Sequence, residues 1–193
     1  MLEQRVRPWF QRYFVLAIAK YCATRVSANT VTLLSLIVGL CAAVMVVFEP
    51  MVAIVLLLLS GYLDILDGSI ARLQNSSSPL GTMLDILSDR LVESFMIIAI
   101  FVVQPQFAIV GLVMMMSITV CISSFLLVGI FSQQESQKSF YYSAGLMERA
   151  ETFIFFIVMI VFPSSVLWLG ILFTVLVLWT TFYRVWEFYR QSV

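Results

Sequence analysis

Six predominantly apolar stretches follow one another along the chain, at 31–48, 51–73, 80–103, 107–131, 146–162 and 166–183. Each approaches or exceeds the roughly 20 residues that a helix needs to cross a hydrocarbon layer. Breakers and polar residues separate them: Glu49-Pro50, 75–79, Gln104-Pro105-Gln106, 132–143 and Pro163-Ser164-Ser165. The pattern predicts an all-α membrane protein with six transmembrane helices. Ahead of them, Val6, Phe10, Tyr13, Phe14, Ala17 and Tyr21 recur every three or four residues, with Arg5 and Arg12 on the other face and Trp9 suited to interfacial depth. This predicts an amphipathic helix over 1–27 lying in the headgroup plane, followed by a six-helix transmembrane domain over 28–193.

Composition agrees. Of 193 residues, 62% are hydrophobic and 11% charged, with a mean hydropathy of +1.03. Soluble domains carry about 25% charged residues. Net charge is zero, so bulk charge identifies no partner. No nucleic-acid motif occurs, and no nucleic-acid partner is expected. Histidine is absent, which removes the commonest general base and any His-based zinc site. Cys22, Cys41 and Cys121 are too scattered for a zinc or disulfide framework and read as inert thiols. The opening MLEQRVRPWFQR is too charged for a cleavable signal peptide.

Six spans place both termini on one side, and all 11 lysines and arginines then map to that side or just inside it. The opposite side keeps only Glu49 among charged groups. The positive-inside bias puts both termini in the cytosol of a bacterial or archaeal cell membrane.

The second and third stretches carry Asp64, Asp67, Asp85 and Asp89 near their cytosolic ends. Four lipid-facing carboxylates at mid-membrane would cost roughly 10 kcal/mol. They should instead face a polar cavity open to the cytosol. Asp64 and Asp67 are i,i+3 and Asp85 and Asp89 are i,i+4, so each pair shares a helix face. A short connection makes the two helices antiparallel neighbours, and all four groups can converge. Such a cluster stays ionised only with cations, and hard oxygen donors select Mg²⁺, Mn²⁺ or Ca²⁺. Gly68, Ala71 and Gly81 leave room beside the carboxylates, and Arg72 offers a fork for phosphate oxygens. Close helix packing and an interfacial anchor are the alternatives for the glycines and for Arg72.

Together these residues read Asp64-x₂-Asp67-Gly68-x₂-Ala71-Arg72-x₈-Gly81-x₃-Asp85-x₃-Asp89. This resembles the signature of the CDP-alcohol phosphotransferase (phosphatidyltransferase) family at all eight fixed positions. A chance match at a given start is of order one in 10¹⁰ at average residue usage. The resemblance implies that Asp64, Asp67 and Asp85 are metal ligands, with Asp89 sharing a second ion and acting as general base. The cofactor it implies is Mg²⁺ or Mn²⁺, as two ions. It places Gly68, Ala71, Arg72 and Gly81 at the CDP site. An Asn and a Thr at the start of the first span often help bind the nucleotide in this family; Asn29 and Thr32 fit, although Ala28 stands where a Pro is usual. Family members are usually homodimers.

The expected reaction transfers the phosphatidyl group of a CDP-lipid to a small hydroxyl acceptor with release of CMP, in phospholipid synthesis among membrane lipids. A phosphorylated acceptor would need cations near Asp89, and Arg90, Lys138 and Arg149 are candidates. Lys138 also reads as an ordinary loop charge, and Glu148 and Glu151 lie close enough to pair with Arg149 locally. Serine as acceptor, and head-group transfer from a soluble CDP-alcohol to diacylglycerol, remain open. From another class, a divalent-cation transporter would use the aspartates as its pathway, but it calls for mid-membrane broken helices or a repeat, and neither is evident.

Overall fold

The computed structural model describes residues 15–76, 78–133, 147 and 149–192. Among them are seven helices and no strand: α1 (Leu16–Cys22), α2 (Ala28–Phe48), α3 (Pro50–Leu73), α4 (Pro79–Val103), α5 (Ala108–Gln133), α6 (Arg149–Val161) and α7 (Val166–Ser192). Single 3₁₀ turns at Pro105–Phe107 and Pro163–Ser165 lead into α5 and α7.

Local chemistry sets the boundaries around the acidic stretch. The Ser27 hydroxyl accepts from the Thr30 amide at 3.3 Å and starts α2. Pro50 and Pro79 occupy first-turn positions of α3 and α4, where the missing N–H is harmless. The Ser78 hydroxyl accepts from the Gly81 amide at 3.1 Å. At the end of α3, Asn75 adopts a left-handed conformation with φ of 49°. The Ser76 amide then donates to Ala71 O at 3.0 Å and the Asn75 amide to Arg72 O at 3.4 Å, closing the helix as a Schellman turn.

Packing divides the helices into two groups. α2 lies along both α3 and α4, α5 pairs with α7, and α6 touches α3, α4 and α7. Small residues permit the close α2 contacts. Ser35 Oγ donates to Ser60 O at 2.8 Å, and Ser60 Oγ returns a bond to Ser35 O at 2.9 Å. A Cβ on Gly39 would stand 2.5 Å from a Val92 methyl, so only glycine brings α2 this close to α4. Among the described residues α3 and α4 share no packed seam of their own. α2 packs along both of them, and α3 and α4 face each other across a gap at their acidic ends, where Asp64 and Asp67 come together with Asp85.

The outer surface is apolar. Phe48, Met51, Val55, Ile109, Leu112 and Trp168 are all exposed, a distribution suited to lipid. Four helical stretches are long and apolar enough to cross a membrane: Ala28–Phe48, Pro50–Leu73, Pro105–Phe131 and Pro163–Arg190. The chain is an all-helical integral membrane protein on this basis. α4 has the length but carries Asp85, Asp89, Arg90 and Glu93, and α6 is 13 residues long as described.

Most of the expected amphipathic N-terminal helix lies outside the described residues. Val15, just before α1, and Ala19 within it are buried, packed with Val31, Leu66 and Ile70. Ala17 and Tyr21, assigned to the apolar stripe, are exposed. α1 docks on α3 through its small Ala19 and leaves Ala17 and Tyr21 on the surface.

Candidate active site

Asp64 and Asp67 project from the last turns of α3, and Asp85 from the second turn of α4. One carboxylate oxygen from each lies within 4.8 Å of the others. At that separation two unit charges in a partly solvated protein repel by roughly 3–4 kcal/mol at an effective dielectric near 20. The cluster therefore calls for compensating positive charge. In an octahedral shell with metal–oxygen distances of about 2.1 Å, opposite ligands stand about 4.2 Å apart. The donor set of three hard oxygens, without sulfur or imidazole, fits a divalent cation of the Mg²⁺ or Mn²⁺ type after small side-chain closure.

The three carboxylates differ in surroundings. Asp67 is 5% exposed, on the helix that gives Leu66 and Ile70 to a small apolar cluster. Its Oδ2 accepts from Thr32 Oγ1 at 2.5 Å, a bond from α2 to α3. Asp64 and Asp85 are half-buried and open toward the gap. Asp89 lies one turn further along α4 and is not within the three-carboxylate group. Its Oδ1 is held by Arg149, whose guanidinium also pairs with Asp64. Arg149 thus crosses from α6 to α3 and α4, a longer reach than the local pairing open in the sequence. Its guanidinium also sits 5.3 Å from the Phe153 ring centroid.

The small residues fall on the same gap. A Cβ at Gly68 would meet only the Arg72 guanidinium nitrogens, at 3.7 and 4.0 Å, so that flank is open. A Cβ at Gly81 would lie 3.1 Å from Asn29 Oδ1 and 3.3 Å from Ser78 Oγ. Gly81 therefore brings the start of α4 against the start of α2 and sets exposed Asn29 on the wall. Ala71 is half-buried and Arg72 exposed, the latter donating to Ser69 Oγ at 3.2 Å. Thr32 differs from Asn29 in being 6% exposed and turned into the α2–α3 seam.

The candidate acceptor cations separate. Arg149 is at the site. Arg90 forks onto Glu93, with contacts of 2.9 Å to Oε1 and 2.6 Å to Oε2. Lys138 lies outside the described residues. Three functional-looking positions escaped the sequence reading. Glu93 is 2% exposed, and its i,i+4 relation to Asp89 was the available signal. Arg184 is 8% exposed and bonded to Cys121 O at 3.0 Å and Ser124 Oγ at 3.2 Å, which no spacing foretold. Gln74 donates to Ala23 O at 2.8 Å and Val26 O at 2.9 Å, clasping the turn before α2 to the end of α3.

Comparison with known proteins places this geometry. The family profile described as CDP-alcohol phosphatidyltransferase matches residues 25–186. The chain is 32% identical over 145 residues to the inner membrane protein YnjF of Escherichia coli K12, covering 71% of this chain and 70% of that one. It is 33% identical over 76 residues to a bifunctional IPC transferase and DIPP synthase of Aquifex aeolicus, which is 39% of this chain and 18% of that protein. The fold is similar to the crystal structure of Mycobacterium tuberculosis phosphatidylinositol phosphate synthase with CDP-DAG bound. That similarity has a TM-score of 0.71 at 17% identity, covering 91% of this chain and 94% of that one.

Proposed function

The chain belongs to the CDP-alcohol phosphatidyltransferase family, and from that premise we propose that it transfers the phosphatidyl group of a CDP-lipid to a small hydroxyl acceptor and releases CMP. The convergence of Asp64, Asp67 and Asp85 within 4.8 Å carries the reading, because a diphosphate donor needs its charge neutralised at the point of cleavage. The CDP-DAG bound to the mycobacterial synthase supports a CDP-diacylglycerol donor.

The three aspartates would hold divalent cations, and Asp89 would share a second one. Mg²⁺ or Mn²⁺ bound there supplies neutralisation of the diphosphate and polarisation of its phosphorus. The open flank at Gly68, with Ala71, Gly81 and Asn29 around it, accommodates the cytidine. The exposed fork of Arg72 suits a phosphate oxygen. Asp89 removes the proton of the acceptor hydroxyl as its oxygen bonds to the lipid-side phosphorus. The bond between that phosphorus and the bridging oxygen breaks, and the bridging oxygen leaves on CMP. Among the described residues no activated nucleophile stands near the cluster, which favours direct displacement over a covalent intermediate. Arg149 lies where an anionic acceptor would approach Asp89, and is the cation we assign to acceptor binding.

The proposed topology has six spans, with α4 and α6 joining the four apolar helices. α4 is 25 residues, or about 37 Å. Its Asp85, Asp89 and Glu93 recur at i, i+4 and i+8, which turns its charge to one face and leaves an apolar face for lipid. The fifth span counts α6 together with the residues before it. An interfacial segment over 1–27, a catalytic domain over 28–193, cytosolic termini and active site, a bacterial or archaeal inner membrane and a homodimer complete the proposal. In detergent or vesicles with Mg²⁺ or Mn²⁺, CMP should be released from CDP-diacylglycerol when the correct alcohol is added from a panel of glycerol 3-phosphate, inositol phosphate and serine. No CMP release with any alcohol, alongside product formation from a soluble CDP-alcohol and diacylglycerol, would reverse the donor assignment.

A further inference from the structure

We propose that Thr32 is a positioning residue for the Asp67 carboxylate and not a contact of the nucleotide; this deepens the metal-binding part of the proposed function and rests on it. The Thr32 hydroxyl has one proton and two acceptors in reach. Ala28 O, its own helix partner one turn back, stands at 3.2 Å, and Asp67 Oδ2 stands at 2.5 Å. Hydrogen bonds to a carboxylate are shorter and roughly twice as strong as neutral ones. The proton therefore goes to Asp67.

The surroundings favour the carboxylate. Thr32 is 6% exposed and Asp67 5% exposed, so the bond lies inside the α2–α3 seam and little competes for the hydroxyl. Asn29, three residues earlier, is exposed against Gly81 and keeps the nucleotide side. The hydroxyl takes one lone pair of Oδ2 and leaves the remaining acceptor positions of the carboxylate for a cation. It thereby fixes the carboxylate plane before any cation arrives.

The rotation of α2 that aims Thr32 is held independently. Ser35, at i+3 on the same face, exchanges hydrogen bonds with Ser60 in the same seam. Gln74 clasps the turn that launches the helix. Partners that orient a metal ligand typically change metal affinity 10–100-fold when removed.

The test measures Mn²⁺ affinity by electron paramagnetic resonance on purified full-length protein without lipid substrate, and CMP affinity at saturating Mn²⁺. Thr32→Val should weaken Mn²⁺ binding by about 10–100-fold. Thr32→Ser should restore it, and CMP affinity at saturating Mn²⁺ should stay at the wild-type value. Unchanged Mn²⁺ affinity in Thr32→Val overturns the proposal, as does a loss confined to CMP affinity. If Thr32→Val does not fold, Thr32→Cys takes its place, since a thiol is a weak donor; Cys binding Mn²⁺ as tightly as Ser overturns the proposal. Wild-type protein that binds no Mn²⁺ sinks this inference. Wild-type protein that binds Mn²⁺ with Thr32 dependence, yet releases no CMP from a CDP-lipid, sinks the transferase reading alone.

Discussion

Arg149 on α6 pairs with Asp89 on α4, and the same guanidinium nitrogen reaches Asp64 on α3. One cation thus joins the proposed base to a proposed metal ligand, across helices 60 and 85 positions away in the chain. Both carboxylates and the guanidinium are largely buried, so solvent screens the pairs weakly. Arg149→Met would leave two like charges facing each other. Breaking a buried pair destabilises by about 3–5 kcal/mol, so this variant should unfold earlier in detergent and lose CMP release by roughly a hundredfold or more. Arg149→Lys keeps the charge without the fork and should recover stability better than turnover. A wild-type turnover in Arg149→Met would remove this residue from the acceptor site.

Asp89→Asn separates proton transfer from binding. Asp89 lies outside the three-carboxylate group, so the Mn²⁺ held by Asp64, Asp67 and Asp85 should still bind the variant, and with it CDP-diacylglycerol. General-base catalysis contributes typically 10²–10⁴-fold, and CMP release should fall by about that factor. Equilibrium binding beside single-turnover rates makes the distinction. Unimpaired CMP release would show that another group takes the proton.

Asp67→Asn should act in the opposite way. It keeps the shape of the buried side chain but removes one of three converging charges. The metal concentration for half-maximal CMP release should rise by at least tenfold, on the order of a lost ligand interaction. Turnover at saturating metal should recover in part. A variant with the wild-type metal dependence would take Asp67 out of the ligand set.

Much of this site was legible before the structure because carboxylates in an apolar helix have few other reasons to exist. Asp64, Asp67, Asp85 and Asp89 announced themselves by cost, and their spacing placed each pair on one face. The glycine positions followed from the same signature, and Gly68 and Gly81 do border the gap. What spacing could not reveal is what crosses between helices. The family resemblance assigned Thr32 to the nucleotide, and nothing in its spacing announced that its hydroxyl reaches across from α2 to Asp67. Arg90 looked available to substrate until Glu93, one turn away on α4, took its guanidinium.

Gly68→Val examines the open flank. Its Cβ would meet only the Arg72 guanidinium, so the helix should tolerate the substitution while the branched side chain enters the space assigned to cytidine. KM for the CDP-lipid should rise roughly tenfold or more, the effect of about 1.4 kcal/mol of lost binding, with KM for the acceptor unchanged. Equal loss on both substrates would place the side chain outside the nucleotide pocket. Gly81→Val should lose more, since Asn29 Oδ1 and Ser78 Oγ already stand at 3.1 and 3.3 Å from the added carbon.

Gln74 offers a stability prediction outside the chemistry. Its amide nitrogen gives one hydrogen to each of two carbonyls, Ala23 at 2.8 Å and Val26 at 2.9 Å, and its oxygen accepts from Ser76 Oγ at 3.3 Å. An NH₂ group is required because both partners on the turn are acceptors. Gln74→Glu is nearly isosteric but sets a carboxylate against two carbonyl oxygens. It should destabilise by about 1–3 kcal/mol, the penalty for leaving part-buried polar groups unpaired, read as a lower unfolding midpoint in detergent. Because the turn at 23–27 launches the helix bearing Asn29 and Thr32, protein still folded below that midpoint should also bind CMP more weakly. A Gln74→Glu protein with wild-type midpoint and CMP affinity would show that the Ser27 cap and the Ser35–Ser60 seam hold α2 in place without the clasp.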